Sequence, residues 1–211
     1  MRNNLVYWVF TVFLAYSCNQ AVKTDQPAPV VQGSIEKAPR FNADSAYAFI
    51  QQQVDFGPRV PNSDAHKACA AYLHEKMLGF ADQVIIQDFE SRNQSGEFYQ
   101  FKNIVASFNP GAGRRVLLGA HWDTRMKADK HKEAPNVQFD GANDGASGVG
   151  VLLEVARLIS QDSMNLGVDI IFFDAEDQGG LGLDWCLGSK HWSTNKHMSG
   201  YSAYYGVLLD M

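Results

Sequence analysis

The sequence lacks any dense stripe of lysine or arginine, and this absence limits the class of partner. The 211 residues contain 18 Lys and Arg against 23 Asp and Glu, which gives a formal net charge of -5. Nucleic-acid binding depends on clustered cations that neutralise phosphates. We therefore expect no nucleic-acid partner.

The apolar stretch at residues 5–16 is too short to span a bilayer comfortably as a helix, for which about 20 residues are needed. It follows Arg2 and precedes Ser17-Cys18, an arrangement typical of a secretion signal with a bacterial lipoprotein processing site. Residues 1–18 are predicted as a signal or lipoprotein segment, with Cys18 carrying the lipid. An ordinary cleaved signal is the alternative. Both predict export, as a periplasmic protein or an outer-membrane lipoprotein that contacts the membrane only through this anchor.

The segment that follows, residues 19–41, has Pro27, Pro29 and Pro39 and no periodic apolar pattern, so it predicts a tether. A composition of 45% hydrophobic residues suffices for one cored domain, predicted at 42–211. Only two cysteines fall in that domain, Cys69 and Cys186. An oxidising compartment permits a disulfide between them, but we expect two buried thiols by default.

Helical and extended patterns alternate along the predicted domain. Helical spacing of apolar residues predicts helices near 44–54, 64–78 and 147–159, and a short helical stretch near 188–194. Apolar runs predict strands at 83–89, 99–108, 116–120, 168–173 and 205–209. Long apolar strands separated by helices favour an α/β fold with a largely parallel, buried sheet.

Acidic and histidine side chains follow two of these strands. The third predicted strand ends in His121-Trp122-Asp123, and the fourth ends just before Glu176-Asp177. Asp144 lies in a glycine-rich turn ahead of a helix. Ligands bind at strand ends in open α/β sheets, and zinc accepts His nitrogen and carboxylate oxygen. The pattern therefore predicts a zinc site.

Each of these residues also has a structural interpretation. Asp144 could cap the helix that follows it, and the Glu176-Asp177 pair could be a solvated turn. An acidic pair beside a buried strand is costly unless a cation or hydrogen bonds compensate it, which favours the metal site. Asp123 lies on the same side of an extended segment as His121, so it can orient the imidazole.

Other polar residues predict structural roles. We expect Arg125 and Asp129 to form an ion pair within a polar loop, and His131 to be an exposed surface histidine. His191 and His197 are interpreted as surface or packing residues.

Five motifs in order resemble peptidase family M28, the zinc aminopeptidase superfamily, and within it the bacterial glutaminyl cyclases. They occupy residues 56–63, 119–125, 141–148, 172–177 and 183–189. The resemblance implies a three-layer α/β fold with a mixed, mostly parallel central sheet flanked by helices. It also implies an acyltransferase that converts N-terminal Gln of peptides or proteins to pyroglutamate and releases ammonia.

Carried over by residue, the cyclase resemblance makes Asp144 and Asp177 zinc ligands, Glu176 the proton shuttle and Asp210 a hydrogen-bonding acid. The superfamily's aminopeptidases hold two zinc ions, and there His121 is a ligand too. The resemblance thus implies one zinc for a cyclase and two for the alternative, an exported aminopeptidase. A catalytically silent binding module is a third hypothesis.

Two departures from the family pattern affect this interpretation. Asp177 replaces the Glu of many relatives, which shortens the side chain by about 1.5 Å. The chain ends at Asp210-Met211, before the last histidine ligand of the family. We therefore expect a fragment whose C-terminal part is missing.

Overall fold

The computed structural model describes residues 38–162 and 164–211. The predicted signal or lipoprotein segment and most of the predicted tether lie outside these residues. The described elements are helices α1 (Ala43–Asp55), α2 (Asp64–Leu78), α3 (Ala146–Ile159) and α4 (Leu187–Thr194), and strands β1 (Gln83–Arg92), β2 (Phe98–Phe108), β3 (Arg115–His121), β4 (Gly167–Phe173) and β5 (Gly206–Leu208). None of the described helices has the length and apolar character needed to cross a membrane.

The strands form one mixed sheet in the order β1-β2-β4-β3-β5. Strand β2 pairs antiparallel with both β1 and β4, whereas β3 pairs parallel with β4 and β5. Four of these five described strands therefore run in the same direction, and β2 is the exception. This confirms the mixed sheet that the resemblance implied, and the hairpin from β1 to β2 is the departure from a parallel arrangement.

Helices cover both faces of the sheet, which makes the three layers. On one face, α2 and α3 bury an apolar core against β2, β3 and β4, with Leu73, Leu152 and Ile170 fully enclosed. On the other face Trp192 of α4 packs against the apolar patch around Ile171. Each such buried side chain contributes about 1.5 to 3 kcal/mol of transfer free energy.

Side-chain caps explain where the first two helices begin. The Asn42 side chain accepts a hydrogen bond from the backbone amide of Ser45 at the start of α1, and Ser63 accepts one from His66 at the start of α2. Each cap satisfies an amide that has no partner within its helix. Among the described residues, the first helix therefore begins directly after Asn42.

The register of the parallel strands brings the predicted site residues to one edge of the sheet. His121 pairs with Phe173, so the segments that follow β3 and β4 leave the sheet side by side. Gly119 pairs with Leu208, which brings Asp210, two residues further on, level with His121. Three separate stretches of the sequence therefore deliver polar side chains to the same place.

Candidate active site

The glycine-rich turn ahead of α3 presents Asp144 to the strand ends. Gly141 and Gly145 adopt φ angles of 57° and 94°, which favour glycine. A Cβ on Gly145 would come within 2.6 Å of the Asp123 carbonyl oxygen, so only glycine fits this close approach. The N-cap of α3 is Gly145, with no side-chain cap. Asp144 is therefore not the cap that one interpretation of the sequence suggested.

His121 lies at the centre of the site with carboxylates on both sides of its buried ring. Its Nδ1 lies 3.3 Å from Asp123 Oδ1, as expected for a carboxylate that orients the imidazole. Its Nε2 lies 2.9 Å from Asp144 Oδ1 and 3.6 Å from Asp210 Oδ1. Burial lowers the pKa of His121, but the contacts with Asp123 and Asp144 outweigh burial and raise it to about 11.

Asp123 is fully buried and contacts residues at the ends of both β3 and β4. Besides His121, its carboxylate accepts hydrogen bonds from the backbone amides of Glu176 (3.0 Å) and Asp177 (3.3 Å) and from Gln178 Nε2 (2.8 Å). Burial raises the pKa of Asp123, but the contacts with His121 and these donors outweigh burial and lower it below its ordinary value. One ionised carboxylate thus fixes both the imidazole and the acidic turn.

A buried arginine fastens the turn of Asp144 to the end of β3. Arg59 Nε donates to the Trp122 carbonyl at 2.9 Å, and its Nη2 donates to the Gly141 carbonyl at 2.9 Å. Its Nη1 donates to the Asp140 carbonyl. Burial lowers the pKa of Arg59. These three carbonyl contacts explain why Asp144 remains beside His121.

Asp177 is held by a second arginine. Arg125 Nη1 donates at 3.0 Å both to Asp177 Oδ1 and to the Asp177 carbonyl, while its Nε and Nη2 grip Asp129 at 2.7 and 2.8 Å. The predicted Arg125–Asp129 ion pair is confirmed. Burial and the charge of Asp144 raise the pKa of Asp177 to about 6 despite the opposing effect of Arg125.

The geometry fits a metal ion at three of these residues. Within residues 38–162 and 164–211, one group of three potential ligands lies within 4.8 Å of one another, namely His121, Asp144 and Asp210. His121 Nε2 is buried and not aligned for a hydrogen bond with either carboxylate. A nitrogen and two carboxylate oxygens are a donor set that zinc accepts. Asp177 lies outside this group, although its charge interacts with Asp144.

Glu176 faces a cavity of about 280 Å³ beside this group. The cavity is lined mainly by apolar surface and includes Glu176 and Cys186 together with His121, Phe173, Asp174, Ser189, Leu208 and Asp210. The predicted base and two of the potential metal ligands therefore share one cavity.

The remaining sequence expectations have mixed outcomes. Cys69 and Cys186 are both free thiols, so the disulfide is not formed. Cys69 is buried as expected, but Cys186 is only half-buried because it borders the cavity. His131 is exposed. His191 stacks on Phe89 and the buried ring of His197 packs on Tyr201, which confirms packing roles for both.

Sequence reasoning missed two buried residues that build the site. Arg59 carries no sign of its role except its place in the first of the five motifs, residues 56–63, which is not specific by itself. Gln178 Nε2 reaches Asp123 and the Thr124 carbonyl, both at 2.8 Å, and follows directly after the acidic pair. Its position directly after Glu176-Asp177 was the signal in the sequence that could have identified Gln178 as a site residue.

Comparison with known proteins agrees with this geometry. The family model of peptidase family M28 matches residues 103–211, just over half of the chain. Every side chain described around the potential metal site except Arg59 falls within that match.

Two solved structures resemble the chain closely. A glutaminyl cyclase from Bacteroides thetaiotaomicron, bound to N-acetylhistamine, is 47% identical with a TM-score of 0.79, over 83% of this chain and 63% of that chain. A structure described as a leucine aminopeptidase precursor from the same species is also 47% identical with a TM-score of 0.79, over 83% of this chain and 64% of that one.

A curated relative is more distant. The glutaminyl-peptide cyclotransferase of Drosophila melanogaster is 26% identical over 150 residues, which cover 68% of this chain and 40% of the fly protein. The chain therefore spans less than half of this relative and less than two thirds of the solved chains.

Proposed function

Because the chain belongs to peptidase family M28, we propose that it is the main part of a zinc-dependent glutaminyl-peptide cyclotransferase. The substrate is a peptide or protein that begins with Gln, and the products are its pyroglutamyl form and ammonia. The observation that carries the proposal is the shared cavity, in which Glu176 faces a small apolar space beside His121 and Asp210. The glutaminyl cyclases among the similar proteins support the choice of reaction.

In the proposed reaction, Glu176 moves one proton between two nitrogen atoms. The substrate's α-amine attacks the carbonyl carbon of its own side-chain amide, and Glu176 accepts the proton that the amine loses. The bond from this carbon to the amide nitrogen then breaks, and Glu176 delivers the proton to the departing ammonia. Such general acid–base transfer contributes about 10² to 10⁴ in rate.

The cavity contributes by holding the substrate in a folded shape. At about 280 Å³, it lies at the lower end of the size of ligand pockets, which suits a single side chain. Placing the amine against the amide carbon makes the attack intramolecular and well oriented. Apolar walls limit the access of water, which would otherwise compete as the nucleophile.

The proposed zinc ligands are Asp144 and Asp177, with His121 as a further ligand. Bound zinc would supply Lewis acidity toward the amide carbonyl oxygen. Among the described residues, ligand atoms of His121, Asp144 and Asp210 lie within 4.8 Å of one another, so a second ion would bind at this group. One zinc fits the cyclase, in which Asp210 hydrogen-bonds to the substrate, and two fit an aminopeptidase.

An exported aminopeptidase is the second candidate, and the His121, Asp144 and Asp210 group favours it. In that reaction Glu176 would take a proton from water, which attacks the first peptide bond. The similar solved structure that is described as a leucine aminopeptidase precursor supports this alternative.

We place the protein outside the cytoplasm on the basis of residues 1–18 alone. Their charged start, apolar centre and Ser17-Cys18 pair fit a signal that leads to lipid attachment at Cys18. Export would give the enzyme access to newly exported chains with N-terminal Gln. Mass spectrometry of the membrane-extracted protein tests this placement by detecting lipid on Cys18.

Peptide masses distinguish the two reactions. The complete gene product is incubated with a Gln-initiated and a Leu-initiated peptide, with and without a chelator. Chelator-sensitive loss of ammonia from the Gln peptide alone supports the cyclase. Release of a free N-terminal residue supports the aminopeptidase, and two unchanged peptides would contradict both proposals and favour a binding module.

A further inference from the structure

Cys186 is a side chain of the cavity that neither proposed reaction uses. Its Sγ lies 3.1 Å from Glu176 Oε1, a hydrogen-bonding distance for sulfur. Both side chains line the cavity. No other side chain of the described residues donates a hydrogen bond to Glu176, so the thiol is its one such partner there.

The backbone fixes the thiol in this position. The amides of Cys186, Leu187 and Gly188 donate to the carbonyls of Glu176, Ala175 and Asp174 at 2.9, 3.0 and 3.0 Å. These three parallel contacts tie the start of α4 to the acidic turn. The start of α4 and the acidic turn are therefore joined at three points, which hold Cys186 beside Glu176.

Two strained residues accompany this connection. Ala175 and Cys186 have φ angles of 52° and 57°, in the left-handed region that side chains other than glycine rarely adopt. Strain of this kind costs on the order of 1 to 3 kcal/mol per residue and concentrates at functional sites. In this protein the two left-handed residues lie beside the three backbone hydrogen bonds, where the side chains of Glu176 and Cys186 meet.

The direction of the hydrogen bond follows from the protonation state of the thiol. Burial and the neighbouring carboxylate of Glu176 raise the pKa of Cys186 to about 11. The thiol therefore keeps its proton at neutral pH and donates it, while Glu176 accepts.

We propose that Cys186 is a positioning residue, which holds the Glu176 carboxylate toward the cavity through an S–H to Oε1 hydrogen bond. This leaves Oε2 to exchange the proton with the substrate. The inference rests on the proposed function only in taking Glu176 as the group that moves the proton, and that role is common to the cyclase and the aminopeptidase.

Substitution of the thiol tests this role in the complete, zinc-loaded protein. We expect Cys186→Ala to lower kcat about 10- to 100-fold, because a small displacement of a reacting group costs this much. KM and zinc content stay within about two-fold of the wild type, as expected for a change felt only in the transition state. Cys186→Ser, which restores a donor, recovers most of kcat, and Cys69→Ala in the core serves as the control with unchanged kcat.

Two results would overturn the proposal. One is wild-type kcat in Cys186→Ala. The other is an equal loss of kcat in the Ala and Ser variants with a raised KM, which indicates a purely structural cysteine. The kinetics are measured on whichever peptide the wild type converts, so a change of reaction class does not affect the test.

Alkylation of the thiol gives a readout that needs no turnover. Iodoacetamide should modify Cys186 at least about three-fold faster in Glu176→Gln than in the wild type, because a negative neighbour disfavours the reactive thiolate. Mass spectrometry of the Cys186 peptide measures the rate. Equal rates would refute the contact, even if the wild type converts neither peptide and the proposed function itself fails.

Discussion

Two acidic clusters of the fold differ in how far the chain pairs them with cations: one is buried around Asp169, and the other, with Asp144 and Asp210, is partly exposed. Asp169, inside β4, receives Arg115 at 2.7 and 2.8 Å and Ser107 at 2.6 Å, and His197 Nε2 lies 3.4 Å away. Burial raises the pKa of Asp169, but the contacts with His197, Arg115 and Ser107 outweigh burial and lower it well below its usual range. Its charge is fully compensated by the chain.

The second cluster has fewer partners from the chain. Among the described residues neither Asp144 nor Asp210 forms an ion pair with a lysine or arginine, and both approach the same imidazole nitrogen of His121, at 2.9 and 3.6 Å. Asp177 nearby has a raised pKa of about 6 despite Arg125. A nitrogen and two carboxylate oxygens that converge are a donor set that zinc accepts, so the comparison identifies this second cluster as the candidate cation site.

Loss of the proposed proton carrier should have the largest effect. Glu176→Gln keeps the size of the side chain but cannot accept a proton, so we expect kcat to fall by about 10² to 10⁴. Stability and zinc content should not change. Steady-state kinetics on the Gln peptide measure the effect, with the exposed Glu133→Gln as the matched control. Near-normal turnover in Glu176→Gln would remove this residue from the mechanism.

Removing the cation from the cluster around Asp169 should lower the free energy of unfolding and leave the reaction rate unchanged. Arg115→Met leaves Asp169 buried without its cation, which costs about 3 to 5 kcal/mol in free energy of unfolding. Urea denaturation measures the loss. Arg114→Met, at the exposed neighbouring position, should change stability by less than about 0.5 kcal/mol. If both variants unfold at the same urea concentration, the Arg115–Asp169 pair is not a structural element.

The pH dependence of stability should differ in sign between Asp177 and Asp169, and this is a smaller effect. Asp177 binds its proton more tightly in the folded chain, with a pKa of about 6, than in the unfolded chain, where about 3.9 is typical. The folded state therefore holds more protons between these values, and stability falls as pH rises through this window. Asp169 has the opposite sign, because its lowered pKa makes its contribution disappear as pH falls.

Thermal unfolding in chelator at pH 4, 5, 6 and 7 tests this sign. Relative to Asp177→Asn, the wild type should lose Tm as pH rises from 4 to 6 and show no further relative change above about 7. Parallel curves for the two proteins would mean that Asp177 titrates normally.

The sequence predicted the elements because each has a strong local signal. The strand that begins at Gln83 extends three residues beyond its predicted end, since Arg92 pairs with Phe98 through a hairpin that polar residues do not disrupt. Local apolar patterns carry no information about such pairing, nor about the antiparallel direction of β2.

The sequence could predict the position of site residues that lie at or just after the end of a strand. It could not predict the position of residues that reach the site through the course of a loop. His121 and Glu176 follow strands, so the topology alone brings them to one edge. Arg59 reaches its three carbonyls, and Arg125 reaches Asp177, only through the course of long loops. The half-buried position of Cys186 likewise depends on the left-handed turn before α4.

Zinc titration by calorimetry tests most directly whether the cluster that contains Asp144 is a cation site. The chelator-treated wild type should bind zinc, Asp144→Asn should bind it at least about ten-fold more weakly, and Glu133→Gln should match the wild type. One ion per chain supports the cyclase and two support the aminopeptidase. Equal zinc affinity in Asp144→Asn and the wild type, or no binding to either, would contradict the account.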